Sequence, residues 1–142
     1  MPKSDLKRGT DSRPLNFKFE SITEILTHIK HGGPEWENRH VTLQFSGQSN
    51  ARVLIYPIQG VDAPYFDFVY TGKEPPRTVF SALLQKYPQC DFIDWSLGGL
   101  TCMEAPNTDV ETLAKIIQDL ARTCWGQEIK VVDAWYEQLR CS

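Results

Sequence analysis

The sequence predicts an α+β domain: an antiparallel sheet of about five or six strands with three helices, in the order α-β-β-β-α-β-β-α plus a C-terminal strand or short helix. Three observations predict it. Apolar residues recur at helical spacing in three separate segments, the period falls to two between them, and glycine- or proline-bearing turns stand at the changes of period. A chain of 142 residues, 41% hydrophobic and 23% charged, has the size and composition of a single globular domain. Such a chain buries roughly two thirds of its unfolded surface, enough to fold without a metal or disulfide.

Residues 1–16 are polar, contain Pro2 and Pro14 and lack apolar periodicity, so they read as a flexible N-terminal tail before a single domain over 17–142. Ser21 and Glu24 have the spacing of a capping box. Ile22, Ile25, Leu26 and Ile29 follow at helical spacing, and Gly32-Gly33-Pro34 ends this first helix. From His40, Val41, Leu43 and Phe45 alternate with polar residues as in a strand. After a turn over Gly47 to Asn50, Arg52 to Ile58 reads as a buried strand stopped or bulged at Pro57. A third strand, Tyr65 to Tyr70, puts Phe66, Phe68 and Tyr70 on one face and Tyr65, Asp67 and Val69 on the other. Short connections make these three an antiparallel meander.

Pro75 and Pro76 open a second helix with an apolar stripe of Val79, Phe80, Leu83 and Leu84, closed at Tyr87-Pro88. A third helix starts at a capping box from Thr108 to Glu111, carries Val110, Leu113, Ile116, Ile117, Leu120 and Cys124 along one side, and ends at Gly126. The β-branched Val131 and Val132 mark Ile129 to Trp135 as a last strand, with a short helix over Glu137 to Arg140 as the alternative.

Between helices two and three stands FIDWSLGGLTCMEAP, Phe92 to Pro106, which places acids, a tryptophan, a serine, a glycine pair and a cysteine close together. A two-residue turn at Gly98-Gly99 makes it a hairpin. Counting outward pairs Trp95 with Cys102 and Asp94 with Met103. Ile93, Trp95, Leu97, Leu100 and Cys102 then face the core, and Asp94, Ser96, Thr101 and Met103 face solvent. On this register Ser96 has no neighbouring base and Cys102 behaves as a small hydrophobe, so neither reads as a nucleophile.

Other chemistry finds little support. The net charge of -3 and pI near 5.6 argue against a phosphate-backbone binder. The basic cluster of Lys3, Lys7, Arg8 and Arg13 is interrupted by Asp5 and Asp11 and reads as a solvated tail. There is no phosphate-binding glycine motif, no apolar run approaching the ~20 residues of a membrane span, and no secretory signal, which points to the cytoplasm. Cys90, Cys102, Cys124 and Cys141 are irregularly spaced, as expected of free thiols rather than zinc ligands. His28 and His31 have a metal-compatible spacing, but without further ligands they read as exposed or as complements to the helix dipole. The acids Glu35, Glu37, Asp62, Asp67, Asp91 and Asp94 are scattered rather than paired for acid-base work. The expectation is therefore no catalytic residues, no cofactor and no metal.

The element order, together with the Asp91 to Trp95 strand, the strand ending Met103-Glu104-Ala105-Pro106 and the long helix from Asp109 to Gly126, resembles the secretion-chaperone-like fold. That fold is shared by class I type III secretion chaperones, the YbjN group and TY-Chap domains. The resemblance spans about residues 17–126 and lies in topology and pattern. It implies a non-catalytic, often dimeric module that offers a sheet or helix surface to a partner polypeptide. Tyr65, Asp67, Asp94 and Met103 are the expected contact residues. Two alternatives stay open: a bacterial immunity protein that masks a toxin, which would share the size and the acidic, aromatic surface, and a small enzyme acting through a free cysteine, which would need a thiol of depressed pKa.

Overall fold

A computed structural model describes residues 13–14, 22–31, 39–47, 49–56, 58, 61–95 and 100–138. Along them the chain runs β1 (Arg13–Pro14), α1 (Ile22–His31), β2 (Arg39–Phe45), β3 (Arg52–Ile55), β4 (Tyr65–Val69), α2 (Pro76–Val79), α3 (Ser81–Lys86), β5 (Asp91–Asp94), β6 (Leu100–Glu104), α4 (Val110–Trp125) and β7 (Val131–Gln138). The strands form one fully antiparallel sheet in the order β1-β7-β2-β3-β4-β6-β5. The predicted α+β class holds and the predicted elements occur in the predicted order, but among the described residues the sheet has seven strands rather than five or six, the second helix is two, and the C-terminal segment is a strand along β2. Among the described residues no helix is long and apolar enough to cross a membrane.

Period-two alternation sends one side chain in two into a single core. Val41, Leu43 and Phe45 of β2, Val53 and Ile55 of β3, and Phe66 and Phe68 of β4 are all buried there. The helices cover that face with Ile22, Ile25, Leu26 and Ile29 of α1 and Leu113, Ile116, Ile117 and Leu120 of α4, the periodic residues of the sequence. Aromatic rings dominate one end. Phe68 lies 5.6 Å from Phe80 in an edge-on arrangement, 6.2 Å from Phe92 and 6.3 Å from Tyr70.

Phe80 also explains why the expected second helix is two. Its ring enters the core, and its backbone leaves helical geometry at φ -102°, ψ 26°, ending α2 and capping α3. Hydrogen bonds still cross the break, from the Phe80 amide to Pro76 O at 2.8 Å and from the Leu84 amide to Phe80 O at 3.0 Å. The turn leaves Val79 exposed, off the apolar stripe expected of it.

Helix α4 starts one residue later than the capping box suggests. Asp109, in extended backbone, accepts a hydrogen bond from the Thr112 amide at 2.8 Å, while the Thr108 hydroxyl donates to Pro106 O instead. At the other end Gly126 has φ 121°, a backbone that side-chain-bearing residues rarely adopt, and its amide closes on Arg122 O. Two residues of the expected tail, Arg13 and Pro14, pair with Tyr136 and Trp135 as β1. The capping box at Ser21, the Gly32-Gly33-Pro34 stop, Pro57 and the Gly98-Gly99 turn lie outside the described residues.

The largest correction concerns β5 and β6. Phe92 pairs with Met103 and Asp94 with Cys102, with a bulge at Ile93, rather than Trp95 with Cys102 and Asp94 with Met103. On this register Phe92, Thr101 and Met103 point into the core, and Ile93, Leu100 and Cys102 point away from it. On β6 the expected faces are exchanged, because burial of Met103 beside the aromatic cluster sets the strand parity, whereas Asp94 is exposed and Trp95 packs against the core as expected. This parity buries the Thr101 hydroxyl completely without a hydrogen-bond partner. Thr101→Val should therefore raise the unfolding free energy by about 1 kcal/mol, read by urea denaturation, because it removes a buried unsatisfied group.

The β5 edge is blunted by side chains. The Phe92 amide donates to Asp91 Oδ1 at 2.8 Å, and Arg77 Nη2 donates to Phe92 O at 3.3 Å while its guanidinium forks onto the Asp91 carboxylate at 2.9 and 3.0 Å. Both backbone groups of Phe92 are thus engaged at a strand end that another chain could otherwise pair with.

Candidate functional site

The sheet face turned away from the helices is built by the same parity that builds the core. With Phe66 and Phe68 inward, Tyr65 and Asp67 of β4 point outward. With Thr101 and Met103 inward, Cys102 and Glu104 of β6 point outward. Antiparallel register then sets Tyr65 opposite Glu104 and Asp67 opposite Cys102, and Asp94 of β5 opposite Cys102 from the other side. The bulge adds Ile93 to the same surface, 52% exposed. Just past β3, Tyr56 completes the wall of an open groove of about 600 Å³.

Three of the four expected contact residues therefore meet: Tyr65, Asp67 and Asp94 line one groove. Met103 does not. It is 0% exposed, directly beneath the groove on the core side, because its strand has the opposite parity to the one the glycine-pair register implies. Tyr56, Ile93, Cys102 and Glu104 were not among the expected site residues. A signal for Tyr56 existed, since Val53 and Ile55 inward put Leu54 and Tyr56 outward by strict alternation. No comparable signal revealed the bulge at Ile93.

Hydrogen bonding and stacking organise the groove floor. The Tyr56 hydroxyl donates to Asp67 Oδ2 at 2.6 Å, and the Tyr56 and Tyr65 rings stack at 5.1 Å, with His40 next in line at 5.8 Å from Tyr56. Burial, reinforced by the Asp67 carboxylate as acceptor and as charge, pushes the Tyr56 hydroxyl well above the usual phenol range, so it stays a proton donor. Burial likewise pushes the Cys102 thiol up to about 12, aided by Asp67, Asp94 and Glu104 around it.

A thiolate nucleophile needs the reverse environment, a lowered pKa beside a cation or helix N-terminus. Cys90 and Cys124 are also pushed up, each to about 11, by burial. All three cysteines among the described residues are free thiols. With iodoacetamide at mildly acidic pH they should label slowly in the native protein and readily after unfolding; one rapidly labelled native site among them would contradict these environments.

Elsewhere, His28 and His31 are exposed on α1. Among the described residues no group of three or more His, Cys, Asp or Glu side chains is arranged to hold a metal ion. A second cleft of about 350 Å³ lies between the loop after β4, α2 and the end of α4. Its wall is structural: the Tyr70 hydroxyl donates to Glu74 O at 2.6 Å, and its ring lies so close over Gly72 that a Cβ there would overlap it. In comparisons with known proteins, the chain matches no family model, no curated protein and no solved structure.

Proposed function

We propose that this protein is a non-catalytic protein-binding module, secretion-chaperone-like in its element order, that presents the face of its sheet turned away from the described helices to a partner polypeptide. The observation that carries this reading is the exposure of large apolar side chains on one face. Ile93 at 52% and Tyr65 at 39% line the groove, and Leu100 at 44% stands on the same face farther along β6, opposite Val69. Exposed apolar groups gathered on one surface and rimmed by polar ones are the mark of an interaction site. Among the described residues, the raised thiols of Cys90, Cys102 and Cys124 give no support to an enzyme acting through one of these cysteines.

On this reading the protein works in the cytoplasm, where free thiols persist, and the resemblance adds a homodimer that light scattering after size-exclusion chromatography would detect. The acidic groove also suits a second reading, an immunity protein covering a basic toxin surface. It is distinguished by a captured partner with toxin activity encoded beside this gene. The deciding experiment is affinity capture with the wild-type chain and with a Tyr65→Ala, Ile93→Ser double variant, whose exposed positions leave the core intact. A partner held by the first and lost by the second supports the proposal; the same proteins recovered with both would refute it.

A further inference from the structure

Asp67, Asp94 and Glu104 bring three carboxylates to one groove, on adjacent strands around Cys102. Among the described residues none of the three makes an ion pair; the bridges present join Arg77 to Asp91 and Lys86 and Arg122 to Asp119. The Tyr56 hydroxyl satisfies one carboxylate by hydrogen bonding but brings no charge. Arg52, on the same face of β3, sits at the level of Val69 rather than Asp67, since Val53 pairs with Phe68. Asp67 and Asp94 flank Cys102 from either side and Glu104 lies diagonal to both, so the groove gathers three negative charges on three strands. A cation supplied from outside would complement them.

The groove also carries what a cationic side chain needs beyond charge. The stacked Tyr56 and Tyr65 rings offer a π face, on which a guanidinium packs better than an ammonium. Planar carboxylates match the guanidinium fork. Ile93, on the bulge, supplies apolar area for the residues that flank such a side chain.

Resting on the protein-binding reading, we infer that the partner docks through an arginine-bearing segment, its guanidinium held between the tyrosine pair and the carboxylates of Asp67, Asp94 and Glu104, with adjacent apolar residues against Ile93. The partner is thus a basic, partly apolar polypeptide segment, and electrostatic attraction makes its capture faster at low salt.

The test uses the full chain and fluorescein-labelled peptides of alternating arginine and valine, with glutamate-valine and serine-valine controls, followed by fluorescence anisotropy. The arginine peptide should bind and the controls should not. The triple variant Asp67→Asn, Asp94→Asn, Glu104→Gln should weaken arginine-peptide binding by about tenfold or more, while melting no lower than wild type. That pairing of lost binding with kept or gained stability separates a binding role from a structural one. Equal binding of the arginine peptide to the triple variant, or equal binding of serine-valine to wild type, overturns the inference. Binding that emerges only after Lys3→Ser, Lys7→Ser and Arg8→Ser would also overturn it, by making the chain's own basic segment the occupant. The protein-binding reading fails separately. If a cellular partner is lost by the Tyr65→Ala, Ile93→Ser variant yet kept by the triple variant, that reading stands and the basic-segment inference falls.

Discussion

Phe68→Ala is expected to lower the unfolding free energy by ~3–5 kcal/mol and the melting temperature by on the order of 10 °C. Phe68 is fully buried on β4, at the centre of a ring cluster with Phe66, Tyr70, Phe80 and Phe92. Truncation removes the apolar transfer energy of the ring and also leaves a cavity, because the neighbours come from β4, β5 and the α2–α3 break and cannot all collapse inward. Urea denaturation of the variant reads the loss directly. A change below about 1 kcal/mol would mean that the cluster is loosely packed and that Phe80 has no reason to break the second helix.

Met103→Lys should prevent stable folding, whereas Leu100→Lys should stay within about 0.5 kcal/mol of wild type. Both residues lie on β6, but Met103 is completely buried and Leu100 is 44% exposed. A lysine at 103 would place an ammonium in the core with no carboxylate facing it on that side of the sheet, and an unpaired buried charge is strongly unfavourable. The register drawn from a two-residue turn at Gly98-Gly99 predicts the opposite ranking, with Met103 toward solvent and Leu100 toward the core. Soluble expression and circular dichroism of the two variants therefore choose between the registers. A folded Met103→Lys protein with a disrupted Leu100→Lys partner would restore the register of the turn.

Much of the fold was legible because periodicity is local. The Val41, Leu43, Phe45 alternation and the Ile22 to Ile29 and Leu113 to Leu120 repeats each needed only their own segment, and all these residues are buried as expected. The inward and outward faces of β4 were readable for the same reason, which is why Tyr65 and Asp67 reached the groove. The hairpin was harder to read. Both of its faces carry apolar residues, so composition could not choose between them, and counting from the turn is already one residue off at Asp94, which pairs with Cys102, before the bulge at Ile93 shifts the register once more.

The sequence alone determined the class, the order of the predicted elements, the amphipathic helices α1 and α4 and the parity of β2 and β4, since each rests on spacing within one stretch of chain. Only the tertiary structure decided the parity of β6, the break at Phe80 and the pairing of β7 with β2. It alone also brought Tyr56, Asp67, Asp94 and Glu104 to one groove. These depend on which residues fill the shared core beside Phe68 and on strands far apart in sequence lying side by side, and no local pattern records either.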